Sequence, residues 1–109
     1  MPAVVVARLE DLRPLVGHQV RVNHWDYAVW LMPGGEVHVL DNACEHVGAP
    51  LVDGAITEGC VICPWHGWRY VLASGDRRTA IGDFPGLRSY RAWTDNGEVW
   101  ADLPDDQLA

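Results

Sequence analysis

The sequence contains no lysine, only three cysteines and no long hydrophobic run. Its positive charge comes from eight arginines, which fifteen acidic residues outweigh to give a net charge of −7. Such a charge is unsuited to the phosphate backbone of a nucleic acid or to an anionic membrane surface. No apolar stretch approaches the roughly 20 residues that span a bilayer. We therefore expect no nucleic-acid and no membrane partner, whereas a basic protein partner stays open.

Three cysteines are too few for a site that takes four thiolates from this chain. This excludes all-cysteine zinc sites and all-cysteine iron–sulfur clusters, and an odd number argues against a disulfide framework. Residues 1–7 contain no Lys or Arg ahead of their apolar run, so no secretory signal or transit peptide is visible. The expectation is a cytoplasmic protein, in which cysteines more often serve metals or redox chemistry than structure.

Short β-type segments recur along the chain, and no ten-residue helical period occurs. We predict strands at 4–7, 19–22, 27–32, 37–41, 60–62, 68–72, 87–93 and 98–101. The turn signals Pro33-Gly34-Gly35 and Asp95-Asn96-Gly97 predict two hairpins. Residues 10–15 allow one helical turn, and the acidic end at 104–109 is predicted to be a frayed tail. These patterns indicate an all-β fold in a single domain spanning 1–109.

The segment 42–67 is interrupted by Gly and Pro, and irregular segments of this length in a small domain are usually functional. Two of the cysteines lie there beside two of the five histidines, as the pairs Cys44 with His46 and Cys63 with His66. Chance produces both short spacings only rarely. Two thiolates and two imidazoles suit either a tetrahedral zinc ion or a 2Fe-2S cluster with Cys on one iron and His on the other.

Glycines just after each histidine favour the cluster over zinc. At Gly48 and Gly67 the missing side chain would let backbone N–H groups approach bridging sulfides, which a lone zinc ion does not have. Cys60 stands three residues before Cys63 in an apolar run. We interpret Cys60 as a buried thiol rather than as half of a dithiol pair.

Two stretches surround these candidate ligands: CEHVGAPLVDG at 44–54, and GCVICPWHGWRY at 59–70 with Ser74-Gly75 behind it. Together they resemble the Rieske iron–sulfur signature. The resemblance implies a Rieske-like antiparallel β sandwich in which two loops form a cluster-binding part at about 42–75. It further implies one 2Fe-2S cluster held by Cys44 and Cys63 on one iron and by His46 and His66 on the other, with the histidines at the exposed loop tips.

The chain departs from the respiratory members of that family in three places. Their interloop disulfide is absent, since Ala49 and Trp65 occupy the matching positions. Their serine that bonds a bridging sulfide is replaced by Trp68. Tyr70, however, matches the tyrosine that bonds a ligand cysteine in high-potential members. The resemblance therefore implies a potential toward the lower part of the Rieske range of about −150 to +300 mV.

The resemblance implies a soluble Rieske ferredoxin of a ring-hydroxylating oxygenase system. It would carry one electron from a flavin-dependent ferredoxin reductase to a terminal oxygenase, or to another reductase as acceptor. We expect no enzymatic site, because three scattered histidines and a short chain leave no room for a mononuclear iron centre. Two alternatives are the small Rieske-like subunit of a nitrite-reductase-type complex and a zinc-stabilised interaction module without redox activity.

Apolar side chains of the two loops have two possible roles. Trp65, with Val47 and Pro50, either covers the cluster or presents an apolar patch to a redox partner.

Overall fold

The computed structural model describes residues 2–44 and 48–108. Within these ranges the chain forms β-strands in three antiparallel sheets. The strands are β1 Ala3–Arg8, β2 His18–Val22, β3 Trp25–Leu31, β4 Val37–Asp41, β5 Ile56–Thr57, β6 Cys60–Ile62, β7 Arg69–Val71, β8 Arg77–Thr79, β9 Gly82–Phe84, β10 Ser89–Tyr90, β11 Ala92–Asp95 and β12 Glu98–Asp102. Short 3-10 helices lie at Leu9–Asp11 and Leu51–Asp53, and α1 spans Asp105–Leu108. The all-β prediction is confirmed.

Both predicted hairpins are present. Strands β3 and β4 pair across the Pro-Gly-Gly turn, with Leu31 opposite Val37. Strands β11 and β12 pair with Asp95 opposite Glu98. The two residues between them, Asn96 and Gly97, have φ angles of 51° and 79°. This pair of positive φ values is what a two-residue turn needs to match the twist of its strands.

Strand β3 lies at the centre of the molecule and is buried on both faces. Its sheet has the order β10-β4-β3-β2, and β1, β12 and β11 form a second sheet. Tyr27 and Val29 pack in one apolar core with residues of the second sheet, such as Val99. Ala28 and Trp30 point to the opposite face and into another core. Because side chains alternate along a strand, a continuous apolar run is what a strand with two buried faces requires.

The third sheet, with the order β5-β6-β7-β8-β9, carries the second core and extends beyond the predicted segments. The sequence analysis predicted only its strands β6 and β7. Strands β8 and β9 were missed because their sequences, Arg-Arg-Thr and Gly-Asp-Phe, have no apolar alternation and are mostly exposed. The segment predicted as one strand at 87–93 is two strands. Ser89–Tyr90 pairs with β4, whereas Ala92–Asp95 pairs with β12, so the chain changes sheets at Arg91.

The prediction of a frayed C-terminal tail is wrong for the described residues up to 108. Leu103 and Gln107 are fully buried, and Leu103 N–H donates to the carbonyl of Pro2 at 3.0 Å. An apolar residue and one buried amide therefore hold this acidic segment against the sheets. Of the helical turn predicted at 10–15, only residues 10 and 11 are helical, in the 3-10 helix Leu9–Asp11, and the backbone is extended at Leu12.

Where the chain is described, none of its helices has both the length and the apolar character needed to cross a lipid bilayer.

Candidate metal centre

Two loops at one end of the third sheet carry the candidate ligands. The first loop connects β4 to the 3-10 helix Leu51–Asp53, and the second connects β6 to β7. Predictions made for His46 and Val47 fall outside the described residues. The side chain of Asn42, which is buried, accepts a hydrogen bond from Val52 N–H at 3.1 Å and ties the two ends of the first loop together.

The two loops share one backbone arrangement around their cysteines. The carbonyl of Cys44 accepts from Gly48 N–H at 2.7 Å, and the carbonyl of Cys63 accepts from Gly67 N–H at 3.0 Å. In return, Cys44 N–H donates to the carbonyl of Ala49 at 2.9 Å, and Cys63 N–H donates to that of Trp68 at 2.7 Å. Each cysteine is thus held at the start of a closed turn whose end is five residues further along.

The structure shows a conformational reason for the two glycines. Gly48 and Gly67 have φ angles of +71° and +79°, a left-handed conformation that costs little only without a Cβ atom. Among the described residues, no atom lies within 4 Å of the position that a Cβ would take at either residue. Their N–H groups donate to cysteine carbonyls. The left-handed backbone conformation is therefore one reason for glycine at both positions, and the approach of backbone N–H groups to bridging sulfides stays a prediction.

Three of the four candidate ligands converge in space. The Sγ atoms of Cys44 and Cys63 and a ring nitrogen of His66 all lie within 4.8 Å of one another. His66 Nε2 is 3.4 Å from Cys44 Sγ and 3.7 Å from Cys63 Sγ. Both cysteines are buried, at 2% and 1% exposure, whereas His66 is exposed. The centre thus has a sulfur side facing the core and an imidazole side facing solvent.

Tyr70 places a hydroxyl beside one of these sulfurs. Its ring is fully buried in the second core, and its Oη lies 3.1 Å from Cys44 Sγ. Tyr70 belongs to β7 and pairs with Val61 of β6. The sheet therefore fixes the hydroxyl at the base of the two loops.

Trp68 connects the exposed histidine to a cation. Its indole stands edge-on to the His66 ring, with centroids 5.1 Å apart, and the Arg77 guanidinium carbon lies 4.0 Å above the indole. The sequence predicts Trp68 as a residue next to the cluster, at the place of a serine, but it gives no indication of Arg77. No local signal marks Arg77, because it reaches Trp68 only through the pairing of β7 with β8.

The remaining residues of the loops differ in exposure. Trp65 is 66% exposed and lines a shallow recess with Pro64, His66 and Asp53. Pro50 is half-buried. Cys60 is buried, as predicted, and its Sγ lies 3.7 Å from an Arg78 guanidinium nitrogen, away from the converging ligands. Cys60 is not in the group of Cys44, Cys63 and His66.

The donor set fits a Rieske cluster. Two buried thiols supply soft sulfur ligands, and an imidazole at the exposed edge supplies nitrogen, which is the division that this cluster type requires.

A family model for the Rieske [2Fe-2S] domain matches residues 3–91. The chain belongs to the Rieske family. Its cofactor is accordingly a 2Fe-2S cluster. The match covers β1 to β10, so it includes both loops and two complete sheets, and it leaves out β11 and β12 of the sheet that contains β1.

Similar proteins include the mouse and human apoptosis-inducing factor 3, each 43% identical over 84 residues, or 77% of this chain and 13% of those proteins. This chain thus matches a small part of those longer relatives. Two solved structures match over nearly their whole length. A ferredoxin of Sphingomonas yanoikuyae is 25% identical with a TM-score of 0.81, covering 94% of this chain and 100% of the ferredoxin. The ferredoxin of carbazole 1,9a-dioxygenase from Nocardioides aromaticivorans is 27% identical with a TM-score of 0.80, covering 93% and 97%.

Proposed function

We propose that this Rieske protein is a one-electron carrier whose cluster is held by Cys44, His46, Cys63 and His66. The observation that carries the proposal is the convergence of three of these side chains, two buried and one exposed, at one end of the β scaffold. A bound 2Fe-2S cluster supplies a centre that accepts and returns a single electron.

The residues around the centre have distinct tasks in this proposal. Cys44 and Cys63 hold the buried side, where the apolar core excludes water from the sulfurs. His66 holds the exposed side and offers the shortest route to a partner at the surface. Trp65, at 66% exposure beside it, forms with Pro50 an apolar docking surface. Val47, which the sequence predicts as part of the same surface, lies outside the described residues. None of these residues acts on a substrate, so we assign no catalytic residue.

We infer that the electron comes from a flavin-dependent ferredoxin reductase and goes to a terminal oxygenase in the cytoplasm. Two structures of ferredoxins, one belonging to carbazole 1,9a-dioxygenase, support this assignment because this chain covers nearly all of each. In this proposal residues 1–109 act as a single domain, with the cluster-binding part at about 42–75.

The ligand set is tested with single variants at each position. We expect Cys44→Ser, His46→Ala, Cys63→Ser and His66→Ala to lose most of the iron and acid-labile sulfide of the isolated protein, together with the EPR signal of its reduced form. The matched control is Cys60→Ala, which removes the third buried thiol and is expected to retain both. A variant that keeps its full iron and sulfide contradicts the assignment of the substituted residue as a ligand. If the wild-type protein instead contains stoichiometric zinc and no iron, the zinc-stabilised module is favoured.

The carrier role is tested on the native complex. A freely exchanging carrier is expected to elute alone from size-exclusion chromatography of a gently prepared extract. Its reduced form should also lose one electron to an added oxygenase component. Stable co-elution with a large reductase subunit favours the alternative of a fixed nitrite-reductase-type subunit.

A further inference from the structure

A basic cleft lies beside the exposed edge of the metal centre. It has a volume of about 440 Å³. It is lined by residues at the ends of β7 and β8, namely Gly67, Trp68, Arg69, Arg77, Arg78, Thr79 and Ala80. Three of the eight arginines of the chain are in this lining, and none of the acidic residues that the structure describes is. The cleft therefore differs in sign from the protein as a whole, whose net charge is −7.

Two of the arginines face each other across the strand pair. Arg69 of β7 is the register partner of Arg78 of β8, and like charges directly opposite in an antiparallel pair destabilise it. Asp83, the register partner of Arg78 on β9, binds that guanidinium through two contacts at 3.0 and 3.1 Å. This contact lowers the pKa of Asp83. One positive charge is thus compensated.

Among the described residues, Arg69 and Arg77 have no such acidic partner. Across residues 2–44 and 48–108, neither Arg69 nor Arg77 has an acidic group within 4.0 Å. Arg77 instead lies over the indole of Trp68, 4.0 Å from its centroid, a cation–π contact that holds the guanidinium without neutralising it. An anion entering the cleft would therefore meet about two uncompensated positive charges on positioned side chains.

The cleft lies next to His66, where a partner protein would approach the metal centre. Trp68 contacts both Arg77 and the ring of His66, and Gly67 follows His66 directly. On the other side the β8–β9 hairpin presents Ile81, which is 86% exposed. Arginine and aromatic residues next to exposed apolar side chains are the composition of protein-binding surfaces.

We propose that this cleft docks acidic side chains of the electron-transfer partner, through Arg69 and Arg77, and so orients that partner at His66. The inference rests on the proposed carrier function. A protein partner with carboxylates around its redox centre fits best, because the cleft is open and has apolar residues at its edge. The net negative charge of this protein repels an acidic partner at long range. Docking therefore needs a positively charged patch at the point of contact.

The experiment measures electron transfer from an acidic flavodoxin in its fully reduced form to the oxidised protein by stopped flow. Docking at the cleft predicts that the second-order rate falls as ionic strength rises from 10 to 300 mM, since salt screens local attraction. Repulsion between two negative proteins predicts the opposite, a rate that rises with salt. A rising rate overturns the proposal.

Two double variants with the same net charge distinguish an effect of the cleft from an effect of the net charge of the protein. R69Q/R77Q is expected to slow transfer from flavodoxin about tenfold at 10 mM salt and to reverse the salt dependence. R8Q/R21Q makes the same charge change on β1 and β2, outside the third sheet, and is expected to change the rate less than twofold. Equal effects of the two pairs contradict the proposal. Reduction of basic cytochrome c by the reduced protein is expected not to slow in R69Q/R77Q.

Two further measurements distinguish failure of this inference from failure of the carrier function. If excess dithionite does not reduce the wild-type protein by one electron, the proposed function itself fails. Midpoint potentials of both variant pairs must also equal that of the wild type, because a changed potential would alter the rate without docking. If the wild-type protein is fully reduced and the potentials are unchanged, but electron transfer becomes faster as salt is added, only the docking role of the cleft is rejected.

Discussion

At the scale of single residues, one hydroxyl group lies beside a sulfur of the metal centre. Tyr70 Oη lies 3.1 Å from Cys44 Sγ, in a place with no access to solvent. We propose that, with a cluster bound, this hydroxyl would donate a hydrogen bond to the Cys44 sulfur, which favours the more electron-rich, reduced state. Trp68 has no hydroxyl, so the contribution of Tyr70 can be measured without a second donor at that position.

Tyr70→Phe tests this hydrogen bond. Its loss, at about 1 kcal/mol, corresponds to a fall of about 40 mV in a one-electron midpoint potential. The measurement is a redox titration followed by EPR. The control is Tyr90→Phe, which removes a hydroxyl bonded to Asp41 in the other core and is expected to leave the potential unchanged. An unchanged potential in Tyr70→Phe removes the role assigned to the hydroxyl.

Gly75 illustrates how one residue joins distant parts of the chain. Its φ is +78°, and a Cβ there would lie 2.2 Å from the carbonyl oxygen of Leu87. Its carbonyl in turn accepts from Leu87 N–H at 2.8 Å. The turn after β7 and the segment leading to β10 are thus packed backbone against backbone.

Gly75→Ala is expected to destabilise the protein by about 3 kcal/mol or more, because both the backbone conformation and the contact with Leu87 must change. Gly97→Ala is the matched control. It has a similar φ of +79° but no atom within 4 Å of the added methyl, so it should cost only about 1 kcal/mol. Denaturant unfolding of the two variants measures the difference. Equal losses of unfolding free energy in the two variants would show that the contact with Leu87 does not contribute to the effect of Gly75→Ala.

At the scale of elements, the short C-terminal helix closes one side of the first core. Gln107 accepts from the Tyr27 hydroxyl through its side-chain oxygen and donates to the Tyr90 hydroxyl at 3.0 Å. Tyr90 in turn donates to Asp41 at 2.6 Å. Burial raises the pKa of Tyr27 to about 12, so the network stays uncharged at its tyrosines under ordinary conditions.

Gln107→Ala is expected to lower the free energy of unfolding by about 2 to 3 kcal/mol, since it leaves the Tyr27 hydroxyl without its acceptor and opens a cavity. Asp106→Ala, at an exposed position of the same helix, should change stability by less than about 0.5 kcal/mol. Thermal or denaturant unfolding checks both. A negligible effect at Gln107 would mean that α1 does not contribute to the core.

For the molecule as a whole, pH acts on stability through a half-buried imidazole. Burial lowers the pKa of His38 below its ordinary value of 6.5, with Glu36 opposing the shift. As pH falls below about 6.5, the unfolded chain binds a proton at this residue before the folded protein does. His38 therefore makes the folded state less stable as the solution is acidified.

His38→Gln removes this contribution, so the loss of stability between pH 7.5 and 5.5 should be smaller in the variant. The difference is bounded by about 1.4 kcal/mol per pH unit for one group. Denaturant midpoints at the two pH values, at equal iron content, give the comparison. Identical losses in wild type and variant would show that the stability of the folded state is not linked to His38.

The net charge of the whole molecule and the charge of the cleft beside His66 have opposite signs. The net charge of −7 left a basic protein partner open, whereas we propose that the cleft of Arg69, Arg77 and Arg78 binds acidic side chains. Composition averages over the surface and contains no information about which side chains share a patch. The grouping of these arginines in one cleft is therefore decided by the fold.

The sequence by itself determined the type of metal centre, the two hairpins and the β character of the chain. These features are local: each Cys and His pair is separated by only one or two residues in the sequence, and Asn96-Gly97 forms a turn with positive φ at both residues. The likeness of the two loops was also visible, since each pairs Cys and His closely with a following Gly.

Only the tertiary structure decided the remaining features. Strands β8 and β9 form because β7 offers them an edge, not because their polar residues favour strands. Gln107 becomes a core residue because two tyrosines 80 and 17 positions away need partners. Arg77 meets Trp68 across a sheet. In each case the energy comes from contacts between distant segments, and such contacts leave no periodicity or spacing in the sequence.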